Sequence, residues 1–157
     1  MGCGDPRWQD TSGQLFQGID HTAIVVANSA ASLRFYRDRL GMKVAGTSEN
    51  WGTEQEHLNN VFGARLRITA LRAARGPGVE LLEYLTPRDG RPTPLDSRAN
   101  DLWHWQVEFD ADGLAARDKV LGADGGGAVS AHAITLPDGA ARMYRDSDGH
   151  AIVLYER

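Results

Sequence analysis

The chain has a single cysteine, no long apolar run and no excess of basic residues, and each absence narrows the range of functions. With Cys3 as the one cysteine among 157 residues, no disulfide can form within the chain. No apolar run approaches the roughly 18 residues that a membrane-spanning helix needs. The formal net charge of -4 argues against a nucleic-acid-binding surface, which needs an excess of Lys and Arg. We therefore expect a cytoplasmic protein that binds neither nucleic acid nor a membrane.

The length allows a hydrophobic core that is stable without disulfides. A chain of 157 residues buries roughly 70% of the surface that its unfolded form exposes. Residues 1–17 lack the charged start and the apolar stretch of a signal peptide, and we predict that they form a polar tail. Residues 86–100 contain several Pro and Gly residues among polar ones, which is typical of a linker.

Two apolar runs on either side of this linker carry a histidine in the same setting. His21 opens the first run, over residues 19–26, and His104 lies in the second, over residues 102–109. Each run is followed by a helix-like stretch that ends in Leu-Gly, and then by three predicted strands. The sequence therefore predicts an α+β fold with one βαβββ module over residues 18–85 and a second over residues 101–157.

A duplicated unit of this kind usually means that neither half can bury its apolar face alone. We expect two curved mixed sheets that form one cleft, with the functional site inside it. Trp103 and Trp105 flank His104 on the other side of its predicted strand, and we expect both rings to pack between sheet and helix.

Several short motifs resemble those of the vicinal oxygen chelate superfamily, which includes glyoxalase I, methylmalonyl-CoA epimerase, extradiol dioxygenases and the fosfomycin- and bleomycin-resistance proteins. The resemblance covers about residues 18–156. It implies the paired modules described above, a small-molecule substrate and, in many relatives, a homodimer. It rests on Asp20-His21, Leu33-Arg34-Phe35-Tyr36, Leu40-Gly41-Met42, Val79-Glu80-Leu81-Leu82, His104 and Asp146-Ser147-Asp148-Gly149-His150.

The resemblance also implies one divalent metal ion held by residues of four strands. By position these ligands map to His21, Glu80, His104 and Val153, and the last of these is apolar where relatives carry a carboxylate. Two histidines and one carboxylate can still hold a divalent ion and leave positions open for substrate and water. Fe, Zn, Mn, Ni and Co all suit this donor set, and the sequence does not choose among them.

Other side chains are candidates for proton transfer and for the substrate pocket. Glu54 and Glu56 lie between the second and third predicted strands, where the family often places a substrate lid. Either carboxylate could act as a general base or replace the missing ligand, and a polar surface helix is the alternative interpretation. The predicted pocket side chains are Arg142, which could pair with an anionic substrate, and Tyr144, Val153 and Tyr155.

A few charged residues are interpreted as structural. Glu83 lies on the other face of its strand from Glu80 and is expected to be a solvated edge residue. Asp146 and Asp148 belong to a predicted turn, and an isolated Asp-x-Asp-Gly is weak evidence for calcium without further loop ligands. His150 is interpreted as a residue of the same turn.

The resemblance leaves three functions open. The first is a glyoxalase-like isomerase or lyase, in which the ion chelates two substrate oxygens and stabilises an enolate while a proton moves. The second is an iron-dependent dioxygenase, because its ligand set resembles two histidines and one carboxylate. The third is a metal-free binding or resistance protein that holds a small molecule in the cleft, which the apolar Val153 favours.

Overall fold

The first half of the chain folds into a four-stranded mixed sheet. This computed structural model describes residues 13, 15–16, 18–122 and 127–157. The elements of the first half are β1 (His21–Val25), α1 (Ser29–Leu33), β2 (Lys43–Trp51), α2 (Thr53–Asn59), β3 (Arg65–Arg72) and β4 (Gly78–Thr86). The helix α1 continues as a π-helical segment, Arg34–Arg39. The strands follow the order β1-β4-β3-β2, and β1 and β4 are the parallel pair.

The second half repeats this arrangement and confirms the predicted α+β class. Its elements are β5 (Gln106–Asp110), α3 (Leu114–Gly122), β6 (Ile134–Leu136), β7 (Gly139–Arg145) and β8 (Ala151–Glu156). Its strands follow the order β5-β8-β7-β6, again with one parallel pair, β5 with β8. Most of the predicted tail, including Cys3, lies outside the described residues. None of the helices in the described part of the chain has the length and apolar character that a membrane span requires.

One apolar core joins the two modules on the sides of the sheets that carry α1 and α3. Strand alternation sends every second side chain into it, so that Ile24 is buried while its neighbours on β1 are exposed. Burying a large apolar side chain completely contributes about 1.5–3 kcal/mol, so this core holds the modules together. Its largest fully buried members from both halves are Ile24, Tyr36, Leu71, Leu81, Leu121, Tyr144, Ile152 and Leu154.

Two carboxylates of the second module add hydrogen bonds across this junction. Asp146 accepts from the hydroxyl of Tyr36 at 2.8 Å. Asp148 accepts from the backbone N–H of Ala27 at 3.0 Å and from the hydroxyl of Ser32 at 3.2 Å. We call these five residues the inter-module clamp. All three donors come from the first module, so the turn before β8 is anchored on α1 and its flanking residues.

Glu83 is not the solvated edge residue that the sequence suggests. Its side chain is 4% exposed, and one carboxylate oxygen accepts from the backbone N–H of Ser29, the first residue of α1, at 3.1 Å. Arg67 and Arg88 lie 3.3 and 3.4 Å from its oxygens. Burial alone would raise the pKa of Glu83, but the Ser29 hydrogen bond and the two arginines outweigh it and lower that pKa.

The strand that was expected to contain His104 begins later than predicted. β5 starts at Gln106, because the preceding residues form turns in which the N–H of His104 donates to Asp101 O at 3.0 Å. Trp103 and Trp105 are 62% and 45% exposed, so the prediction that both pack between sheet and helix is wrong. The ring of Trp105 instead lies 5.1 Å from that of His150, centroid to centroid.

Candidate functional site

His21 and Glu80 lie side by side on the outer face of the first sheet, by which we mean the face opposite the shared core. The register pairs Ala23, two residues after His21, with Glu80 on the neighbouring strand. His21 Nε2 lies 3.3 Å from Glu80 Oε2, and the two side chains are 39% and 25% exposed. A solvent-borne ion or small molecule can therefore reach this pair, which the sequence analysis proposed as two ligands of one ion.

The other ring nitrogen of His21 is held by the preceding residue. Nδ1 lies 2.8 Å from Asp20 Oδ2, and Arg72 Nη2 donates to both oxygens of the same carboxylate at 2.8 Å. An ionised carboxylate only accepts hydrogen bonds, so this contact favours the tautomer with the proton on Nδ1. Nε2 then turns a lone pair towards Glu80.

The separation of these two donor atoms fits a shared metal ion. Bonds of about 2.1 Å at angles of about 90–109° place two ligand atoms about 3.0–3.4 Å apart. The 3.3 Å between His21 Nε2 and Glu80 Oε2 lies in this range. Two acceptor atoms that face each other at this distance repel unless a proton or a cation lies between them. The pair therefore has the chemistry and spacing of half a divalent-metal site.

His104 does not join this pair in the structure. It precedes β5, and its Nε2 lies 3.3 Å from Gln106 Oε1. Within the described part of the chain, one group of three metal-capable side chains has its ligand atoms within 4.8 Å of one another, and that group contains neither His21 nor Glu80 nor His104. The set of three ligands thus stays a prediction, of which the structure brings two members together.

The register of the second sheet explains why His104 is out of place. In the first sheet, the cross-strand partner of Glu80 lies two residues after His21. In the second sheet, the partner of Val153 lies two residues after Gln106. If Val153 matches Glu80, then Gln106 matches His21, and His104 lies two residues too early. The match of His104 to His21 and the match of Val153 to Glu80 therefore cannot both hold, because they differ by two residues along the strand.

The outer face of the second sheet carries a carboxylate that the sequence analysis missed. Glu108 is the direct cross-strand partner of Val153 on the neighbouring strand, and neighbouring strands lie about 4.7–4.9 Å apart. Gln106 Nε2 donates to Glu108 Oε1 at 2.8 Å, while Gln106 Oε1 lies 3.3 Å from His104 Nε2. The signal was present in the sequence, because His104, Gln106 and Glu108 alternate at the strand period.

The four predicted pocket residues lie on two different faces. Val153 and Tyr155 lie on the outer face, and Val153 is 5% exposed. Arg142 and Tyr144 pair with core residues of β8 and thus point towards α3. There both bond to Asp118, Arg142 through Nη1 and Tyr144 through its hydroxyl. The structure therefore does not bring Arg142 and Tyr144 to the other two, and the Arg142 charge is already paired.

The two carboxylates of α2 have different surroundings. Glu56 Oε1 accepts from the N–H of Gly63 at 3.0 Å, so it closes the loop after α2. Glu54 lines a shallow pocket of about 440 Å³ whose lining includes neither His21 nor Glu80. Glu54 is therefore the better placed of the two to meet a ligand. The pocket is formed by Glu49, Asn50, Trp51, Glu54, Gln55 and Leu58.

Three metal-capable side chains do meet at the turn before β8, but hydrogen-bond donors already engage their oxygens. Asp146 Oδ1 accepts from the N–H groups of Asp148 and His150 at 3.0 and 2.9 Å. Its Oδ2 accepts from Tyr36 and lies 2.8 Å from His150 Nδ1. Both oxygens of Asp148 belong to the inter-module clamp. We interpret this group as a centre of structural hydrogen bonds.

The pKa shifts at this turn agree with a structural role. Burial alone would raise the pKa of Asp146, but its hydrogen bonds to His150 and Tyr36 outweigh burial and lower it. Burial, and then the charge of Asp146, raise the pKa of the Tyr36 hydroxyl far above its usual range. Asp146 thus stays an acceptor and Tyr36 a donor throughout the physiological pH range.

Solved structures share this fold at low sequence identity. A glyoxalase family protein from Bacillus cereus superposes with a TM-score of 0.77 at 20% identity, covering 94% of this chain and 98% of that one. TnmS3, an antibiotic binding protein from Streptomyces sp. CB03234, gives 0.59 at 15%, covering 91% and 98%. The model of the Glyoxalase/Bleomycin resistance protein/Dioxygenase superfamily matches residues 18–154. No curated protein matches significantly.

Proposed function

This chain belongs to the Glyoxalase/Bleomycin resistance protein/Dioxygenase superfamily, and from this premise we propose that it is a metal-dependent enzyme acting on a small oxygen-bearing molecule. Isomerase or lyase chemistry is the reaction type that we favour. The observation that carries the proposal is the His21–Glu80 pair, in which two partly exposed side chains bring potential metal-ligand atoms to 3.3 Å. Its spacing fits two ligands of one divalent ion.

Each residue has a distinct part in this proposal. His21 and Glu80 would hold the ion, which when bound would supply Lewis-acid stabilisation of negative charge on a substrate oxygen. The second module would add a third donor, either His104 or Glu108. Glu54 stays a predicted carrier of the substrate proton, and it lines a shallow pocket whose lining includes neither His21 nor Glu80. A homodimer and a cytoplasmic location remain predictions.

A metal-free binding protein is the second candidate function. The cross-strand position that faces Glu108 is the apolar Val153, and TnmS3, which is described as an antibiotic binding protein, has the same fold. A dioxygenase is less well supported, because it needs three ligands on one face of the metal and only two of the predicted ones are adjacent.

Metal titration of the full chain distinguishes the two candidates. We expect the wild type to bind one equivalent of Mn²⁺ or Co²⁺, and the variants His21→Ala and Glu80→Gln to bind at least about 100-fold more weakly. His57→Ala is the matched control, because His57 is an exposed histidine of α2. A wild type that takes up no metal, or variants that bind like the control, would overturn the enzyme proposal and favour the binding protein.

A further inference from the structure

A salt bridge behind His21 connects β3 to the residue that precedes β1. Arg72 donates from Nη1 to the backbone oxygen of Asp20 at 2.7 Å, and from Nη2 to both of its carboxylate oxygens at 2.8 Å. The side chains of Arg72 and Asp20 are 19% and 35% exposed. Several charge-assisted bonds from one rigid guanidinium fix the orientation of the carboxylate as well as its position.

Gly78 leaves the space through which Arg72 reaches Asp20. A Cβ at this position would lie 3.1 Å from both Cδ and Cζ of Arg72 and 2.8 Å from the carbonyl oxygen of Leu71. The N–H of Gly78 also donates to the backbone oxygen of Asp20 at 2.8 Å. A glycine is needed here because a Cβ would clash first with the backbone oxygen of Leu71 and would also crowd the side chain of Arg72.

These contacts hold the imidazole of His21 through its Nδ1 atom. The fixed carboxylate of Asp20 lies 2.8 Å from Nδ1, while Nε2 lies 3.3 Å from Glu80. A flip of the ring about its Cβ–Cγ bond would put Cδ2 in the place of Nδ1 and lose the bond to Asp20. The tautomer with a proton on Nε2 would lose it as well, since Nδ1 could then no longer donate.

We infer that Asp20, held by Arg72, is a positioning residue that keeps the proton of His21 on Nδ1 and directs the lone pair of Nε2 towards Glu80 on the outer face. The inference rests on the proposed function, because the role of this lone pair is to bind the ion. Partners of metal-binding histidines act in this way in general, and losing one typically weakens metal affinity by about 10–100-fold.

Nitrogen NMR of the histidine rings in the metal-free chain tests the positioning directly. At alkaline pH, we expect the ¹⁵N shifts of His21 in the wild type to show a protonated Nδ1. In Asp20→Ala and Arg72→Gln, we expect the population to move towards protonated Nε2. Mn²⁺ titration of the same samples should show about 10–100-fold weaker binding for Asp20→Ala and a smaller loss for Arg72→Gln.

Asp38→Ala is the matched control, since Asp38 is also an aspartate paired with an arginine, Arg37, at 2.6 Å, but lies on the helical segment after α1. It should change neither the tautomer nor the affinity. A wild-type His21 protonated on Nε2, or an Asp20→Ala variant that behaves like this control, would overturn the inference. A tautomer shift in a chain that binds no metal would uphold the positioning role and contradict the proposed function alone.

Discussion

The outer faces of the two sheets have the same strand order and pairing but different chemistry. On the first face, the proposed metal ligands His21 and Glu80 come from two neighbouring strands. Arg72 fixes the position of His21 through the carboxylate of Asp20. On the second, the polar side chains follow a single strand, where Gln106 links His104 to Glu108. The neighbouring strand there presents Val153. The two sheets thus share the same strand order and pairing, while their outer faces carry different sets of side chains that could bind a metal.

This difference shows what a strand needs in order to present a ligand. Alternation alone decides the face on which a side chain lies. The orientation of an imidazole needs a further contact from outside its own strand, which Arg72 and Asp20 provide in the first module. In the second module, His104 contacts a side chain only two residues further along the chain. We therefore regard the first face as the pre-organised half of the site.

The largest expected effect comes from breaking the clamp that joins the two halves. Asp146→Ala leaves the Tyr36 hydroxyl, His150 and two backbone N–H groups without their buried acceptor. We expect the free energy of unfolding to fall by about 3–5 kcal/mol. Tyr36→Phe removes a single donor and should cost about 1 kcal/mol. Urea denaturation measures both, and equal losses in the two variants would contradict the central role of Asp146.

The next largest expected effect is a loss of metal affinity, which shows which residue of the second outer face contributes to metal binding. We expect Glu108→Gln to weaken Mn²⁺ affinity by about tenfold or more, because its carboxylate lies beside the position of the missing ligand. His104→Ala should weaken the Mn²⁺ affinity less, because His104 contacts Glu108 only through the side chain of Gln106. Asp110→Asn, on the same strand and two residues further, is the control. A loss for His104→Ala as large as that for His21→Ala would restore the ligand set inferred from the sequence.

The first module was largely predictable from the sequence because its signals are local. Residue alternation and the Asp20-His21 motif place His21 on β1, and alternation also separates Glu80 from Glu83. The interaction of Glu83 was not predictable, because its partner Ser29 is 54 residues away and only the packing of α1 on β4 brings the two together. A glutamate in an apolar strand resembles an edge residue until the helix that it caps is known.

The second module was predicted less well because its first strand depends on turn contacts. The apolar run over residues 102–109 suggested a strand, yet the hydrogen bond from Trp103 Nε1 to Ser97 Oγ and that from His104 to Asp101 hold its first half in turns. The strand therefore starts at Gln106. His104 lies two residues before this strand, so alternation still gives it the face of Gln106 and Glu108, but it lies outside the paired part of the sheet.

A pH series compares one buried carboxylate from each module. The pKa of Glu83 and that of Asp146 are both lowered on folding, so the unfolded chain binds more protons as the pH falls. Their contribution to stability is present above the unfolded pKa values of about 4.3 and 3.9 and is lost as the pH falls through the folded values.

We therefore expect the free energy of unfolding to decrease below about pH 4.5. Glu83→Gln and Asp146→Asn should each reduce that slope, and urea denaturation across this pH range measures it. We expect the larger reduction for Asp146→Asn, because its side chain is 0% exposed and four groups bond to it. An unchanged slope in both variants would show that other carboxylates control acid unfolding.

The smallest effect concerns the two tryptophans before β5. Trp105 lies against His150, whose Nδ1 contacts Asp146, so its ring supports the clamp from the outside. Trp105→Ala should lower the free energy of unfolding by about 0.5–1.5 kcal/mol. Trp103→Ala, which removes a more exposed ring with one hydrogen bond to Ser97, should cost less. Both variants should keep the wild-type Mn²⁺ affinity, because the first outer face holds His21 through its own strands. A loss of affinity in Trp105→Ala alone would instead show that the start of β5 supports the metal site.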